Sequence, residues 1–258
     1  MTRGLGILFS LLLVFSFSVT VFAQSSNSTI PEKNGDYPDP VHPGLRVHVF
    51  VHEPKPGKPS PTQSPLLVCN LPDPDSTAVV PATPWHLPTG WTYTLNPSSV
   101  PSSVGSGNLS TIAGNAFTQW MSAVGNKVII SKTAFDTIAN KARFDGQNII
   151  AWGRTSASAL AVTYTWYYPS TGLAAEEDTI FNKQYPWFWN ASNNTCTDSN
   201  SYDAQDILTH ETGHWMGLDD TYSAAYVDNT MFGYGSKGEI KKDTLTTGDR
   251  QGVQAIYP

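Results

Sequence analysis

Charge is scarce in this sequence. Asp, Glu, Lys and Arg make up 14% of its 258 residues, against about a quarter in an average soluble domain. Basic residues number 15 against 21 acidic ones, a net of −6. A nucleic-acid partner requires a basic face, so none is expected. Internal repeats at solenoid periods are missing as well, which excludes a stacked-repeat protein. The one long apolar run, Leu5 to Val21, stands at the N-terminus behind Arg3 and ends in the small-x-small pattern Val21-Phe22-Ala23. Residues 1–23 therefore read as a cleaved secretory signal peptide and not as an anchor. No membrane partner is expected after its removal.

Cysteine and histidine are also few. The cysteines are Cys69 and Cys196, and outside the reducing cytosol two cysteines suggest one disulfide. The six histidines are His42, His48, His52, His86, His210 and His214. None follows His214, and none lies between His86 and His210.

What is present is apolar and aromatic: 40% hydrophobic and 12% aromatic residues can build a sizeable core. Proline divides the chain, with 14 of 19 between Pro31 and Pro88. Residues 24–84 read as a Pro-rich N-terminal segment and candidate propeptide, with 24–44 loosely attached. Within it, Leu45 to Val51 alternates like one short strand, and a polyproline-type linker starts at Glu53. A compact domain is expected over 85–258. There, periodicity predicts strands near 91–96, 127–131, 147–152, 159–168 and 179–182. Helices are predicted over 108–124, 202–216 and 247–257, the last opened by a Thr246/Asp249 capping box.

The chemistry lies in His210-Glu-Thr-Gly-His-Trp-Met-Gly-Leu-Asp-Asp220. His210 and His214 stand four apart, so a helix puts both imidazoles on one face, able to share one zinc ion. Glu211 then points beside the metal, where it can act on a water; His-Glu-x-x-His is a metalloprotease signature. Gly217 stops the helix and turns the chain back. Asp219 and Asp220 follow, each a candidate third ligand, and the spacing from His214 favours Asp220. Glu239, in a Gly- and Lys-rich stretch, is the alternative donor. The structural alternative for the two histidines, satisfied core residues, leaves Glu211, Gly217 and Asp220 in register without a reason.

The segment resembles the extended zinc motif of the metzincins in its matrixin form, with Asp220 where the last histidine usually stands, as in snapalysin-type enzymes. Thr230-Met231-Phe232-Gly233 resembles their Met-turn, Leu245 to Asp249 their final helix, and Glu177 to Asn182 with Trp187 the strand before the active-site helix. Ser158 to Val162 resembles the matrixin edge strand. Without a histidine between His86 and His210, the structural zinc site common in matrix metalloproteases is absent. Cys69-Asn-Leu-Pro-Asp73 faintly resembles a cysteine switch but lacks its arginine; a Cys69–Cys196 disulfide is the preferred reading. Tyr234 reads as buried packing near the turn.

The resemblance implies a mixed α/β (α+β) metzincin-like catalytic domain: a twisted, mostly parallel sheet, an active-site helix, a Met-turn at Met231 and a C-terminal helix. It implies a secreted zinc endopeptidase with one catalytic Zn2+ on His210, His214 and Asp220, and Glu211 as general base. A protein or peptide substrate would add to the sheet as a strand, and the chain would act as a monomer. The resemblance also admits Ca2+, which no motif here specifies. The alternative from another class is a secreted binding or adhesion module with a vestigial site, which would have no use for Glu211.

Overall fold

The computed structural model describes residues 30–56, 67–191 and 194–258. The expected signal peptide and most of the polyproline linker lie outside the described residues. No helix among the described residues is long and apolar enough to cross a membrane.

The strands are β1 (Gly35–Pro38), β2 (Arg46–Pro54), β3 (Leu67–Cys69), β4 (Gly90–Leu95), β5 (Ile129–Lys132), β6 (Ile149–Gly153), β7 (Ala161–Tyr168), β8 (Leu173–Asn182), β9 (Trp187–Phe188), β10 (Cys196–Asp198), β11 (Tyr202–Asp203) and β12 (Tyr234–Gly235). The helices are α1 (Leu109–Ala123), α2 (Ala204–Trp215) and α3 (Thr247–Ile256). The main sheet runs β1-β2-β7-β8-β6-β4-β5, with β12 added alongside β2. β4, β5, β6 and β8 are parallel, and β7 returns antiparallel to β8. This is the mixed α/β architecture expected of the sequence.

Helix α1 buries Leu109, Ile112, Ala113, Ala116, Phe117 and Trp120, the spacing of one helical face. The Trp120 indole donates to the Thr209 carbonyl at 2.8 Å, which ties α1 to α2. Helix α3 opens with the Thr246/Asp249 capping box. A Cys69–Cys196 disulfide joins β3 to β10, so Cys69 is not a free thiol.

Two regions depart from the sequence reading. Residues 30–44, expected to be loosely attached, are tied to the sheet, and the strand expected over Leu45 to Val51 is there as β2. β1 and β2 extend the sheet, with β2 antiparallel to β7 from Arg46↔Tyr167 to His52↔Ala161. Val47, Val49 and Val51 bury one face of β2 against Ala159, Val162 and Trp166, while Phe50 and His52 are buried on the other. β7 is therefore not a free edge.

Strand β8 is also longer than its predicted four residues, because Glu176, Glu177 and Asp178 lie inside it, fully buried. The carboxylates of Glu176 and Asp178 have backbone partners in the loop before β6 and at its first residue, while Glu177 accepts the Thr165 hydroxyl at 3.2 Å. Glu176 accepts the Asp145 N–H at 2.8 Å and that of Gly146. Asp178 accepts Arg143 N–H at 2.8 Å and Ile149 N–H at 2.9 Å. Burial pushes the Glu176 carboxyl up to about 7. Asp178→Ala would leave two backbone donors without acceptors, so urea unfolding should show a loss of about 2–4 kcal/mol. An unchanged midpoint would mean that the loop does not depend on Asp178.

Candidate metal centre

Helix α2 begins where the Asp203 carboxylate accepts the N–H groups of Gln205 and Asp206, an N-cap that fixes the first turn. All twelve of its residues are buried. It ends in a Schellman motif: Gly217 N–H donates to His214 O at 2.9 Å, and Leu218 N–H to Gly213 O at 3.0 Å. Gly217 has φ +87°, and a Cβ there would meet the Trp85 carbonyl at 2.5 Å. Only glycine fits, and the chain then folds back over the helix as far as Asp220.

The two imidazoles are oriented by backbone carbonyls. His210 Nδ1 meets Thr230 O at 2.7 Å, and His214 Nδ1 meets Leu218 O at 2.9 Å. Nδ1 must carry the proton in each ring, which leaves Nε2 as a lone pair. Burial drives His210 well below its ordinary pKa and His214 down to about 3, so both are neutral, as ligands must be. Asp220 Oδ1 lies 3.2 Å from His210 Nε2 and 3.6 Å from His214 Nε2. Its other oxygen accepts the Tyr222 hydroxyl at 2.9 Å. Both Nε2 atoms and Oδ1 are buried with no hydrogen-bond partner. Three lone pairs converging in a dry site repel unless a cation sits among them, and two imidazoles with one carboxylate are a zinc donor set.

Glu211 is placed differently. Its Oε2 accepts the Thr163 hydroxyl at 2.6 Å, Thr163 meets the Thr179 hydroxyl at 2.7 Å, and Thr179 accepts the Trp215 indole N–H at 3.0 Å. That relay from β7 and β8 fixes one oxygen and leaves Oε1 without a hydrogen-bond partner. Burial, partly offset by the Thr163 hydroxyl, pushes the Glu211 carboxyl up to about 8.

Met231 is fully buried beneath the helix. A Cβ on Gly213 would lie 2.2 Å from the Met231 sulfur and 2.8 Å from Trp120, which accounts for glycine inside the motif. Asp249 of the α3 capping box also accepts the N–H groups of Thr230 and Met231, at 2.9 and 3.3 Å. One carboxylate thus caps α3 and pins the turn that orients His210.

Of the alternatives, Asp219 is spent locally, accepting the Asp220 N–H at 2.8 Å. Glu239 accepts Ser236 N–H at 2.9 Å and pairs with Lys241 at 3.2 Å. Among the described residues, the groups able to hold a metal are His210/His214/Asp220 and His52/His210/Glu211. Tyr234 packs against Phe232 and Tyr222.

The sequence reading missed the residues brought in by β2. The Phe50 ring stacks on His214 with centroids 3.7 Å apart and planes 5° from parallel. His52 stands edge-on to His210 at 4.0 Å, its Nδ1 3.6 Å from Glu211 Oε1. The only signal was the alternation of Leu45 to Val51, which separates two faces but names no partner. If Asp220 is the third donor, Asp220→Ala should lower zinc affinity by more than the roughly 10–100-fold of a lost supporting contact, and Asp219→Ala should be mild. Chelator competition with metal analysis reads both; the reverse order would shift the register by one residue.

No curated protein matches the chain. A family model described as matrixin matches residues 85–258, which take in α2, the turn at Met231 and α3. The chain belongs to the matrixins, a family of zinc-dependent endopeptidases.

Proposed function

We propose that this protein is a secreted zinc endopeptidase whose ligands are His210, His214 and Asp220, with Glu211 as general base. The observation that carries the reading is Glu211 Oε1, buried and unpartnered beside three converging lone pairs. A site that only stored metal would need no such carboxylate. The aspartate in place of a third histidine makes it snapalysin-like. The N-terminal apolar run and the disulfide support secretion.

When bound, zinc supplies Lewis acidity and brings the pKa of water toward about 7, somewhat higher with a carboxylate ligand than with a third imidazole. Glu211 then takes a proton from the attacking water and returns it to the departing amine. Thr163 holds the carboxylate so that its free oxygen faces the reaction. An extended substrate adds to β7 as a strand. In the full chain β2 holds that position, so residues 30–54 act as part of a propeptide and the full chain is latent. The active form is a monomer that has lost this segment.

Glu211→Ala should retain zinc while activity on casein falls by about 10²–10⁴-fold, the usual worth of a positioned base. A chelator should abolish wild-type activity. Near-normal turnover in the variant would sink the mechanism. N-terminal sequencing of the active species should find a start beyond Pro54; activity in a species that still carries residues 30–54 would remove the latency.

A further inference from the structure

β2 is hydrogen-bonded on both sides, antiparallel to β7 and parallel to β12 through Glu53↔Tyr234 and Pro54↔Gly235. Leu160 N–H donates to the His52 carbonyl at 2.7 Å, and Lys55 N–H donates to the Gly235 carbonyl at 2.8 Å. An extended peptide docks onto a sheet in this way, backbone paired and alternate side chains pocketed. The His52 side chain, fully buried, enters a pocket between Glu211, His210 and the β12 wall. The pocket is tight: a Cβ on Gly235 would come within 3.0 Å of Leu160, Ile207 and His52 Nε2.

The floor of this pocket is Lys242, also fully buried. Its ammonium donates to the Phe232 carbonyl at 2.7 Å and to the Tyr234 carbonyl at 2.9 Å. Nζ lies 3.5 Å from His52 Nε2. An ammonium has three protons and no acceptor, so the third proton is directed at whatever fills the pocket. A neutral imidazole protonated on Nδ1 turns its Nε2 lone pair to Lys242, with Nδ1 3.6 Å from Glu211 Oε1. A leucine of similar size would leave the third proton buried without an acceptor.

We propose that β2 is a tethered analogue of the substrate, and that Lys242 makes the His52 pocket select peptide residues whose side-chain tip accepts a hydrogen bond: His, Asn, Gln, Asp or Glu. The proposal rests on the endopeptidase reading for its substrate, and on the geometry of β2 for its pocket. An unpaired buried charged donor is worth about tenfold to a hundredfold in binding, so the preference over leucine should fall in that range.

The test has two arms, both on the full secreted chain. In the first, hydrogen exchange of the β2 amides is compared for wild type, His52→Asn, His52→Gln and His52→Leu. Opening of β2 is read directly, whether or not any bond is cut. Protection should stay near wild type in the Asn and Gln variants and fall about tenfold to a hundredfold in the Leu variant. Leu protected as well as or better than Asn and Gln would overturn the proposal.

In the second arm, the activated chain is profiled on a peptide library, wild type against Lys242→Met. The wild type should prefer acceptor side chains at one position beside the cleaved bond, and the variant should lose that preference and keep its others. A wild-type preference for leucine there would overturn the proposal. A uniform fall across all peptides would assign Lys242 a purely structural role. A chain that cuts no peptide would end the endopeptidase reading, and the exchange experiment would still decide the pocket.

Discussion

Four polar side-chain atoms meet in the interior of this protein without partners: His210 Nε2, His214 Nε2, Asp220 Oδ1 and Glu211 Oε1. Each buried orphan costs about 1–3 kcal/mol, and lone pairs facing one another add repulsion. The surroundings hold these atoms in place. Carbonyls of Thr230 and Leu218 take the Nδ1 protons, Tyr222 occupies the second Asp220 oxygen, and Thr163 occupies the second Glu211 oxygen. A divalent cation turns the repulsive cluster into a bound one, and matrixin membership supplies its identity as zinc.

Much of the fold serves this constraint with shared parts. Asp249 caps α3 and also grips the backbone at Thr230 and Met231. Gly213 lets Met231 and Trp120 close on the helix from which both imidazoles project. Gly217 lets the chain double back so that Asp220 reaches the histidines. Elsewhere, the carboxylates of Glu176 and Asp178 clamp the loop before β6.

The centre was legible in the sequence because it is local. Eleven consecutive residues carry both histidines, Glu211, the helix stop and Asp220, and a helix of 3.6 residues per turn fixes the relative directions of the residues on it. The capping box at Thr246 was legible for the same reason. The N-terminal region was not. β2 pairs with a strand more than a hundred residues away in the chain, and alternation alone cannot say what an extended segment will lie against. Periodicity also began the strand at Thr179 and left out Glu176 to Asp178, and nothing in the sequence marked Lys242 as buried. Glu176, Asp178 and Lys242 are buried because specific partners compensate them, and such partners are set by tertiary structure.

The same long-range pairing gives the molecule its second theme: a segment of its own chain lies across the centre, with Phe50 on one ligand ring and His52 beside the other. What that segment covers depends on where the metal sits. Anomalous scattering at the zinc edge, from crystals of the full chain grown with zinc, measures this directly. One peak is expected, within bonding distance of His210 Nε2, His214 Nε2 and Asp220 Oδ1, with Glu211 alongside and unbound. A peak held by Asp219 or Glu239, or no peak at the two histidines, would contradict the assignment.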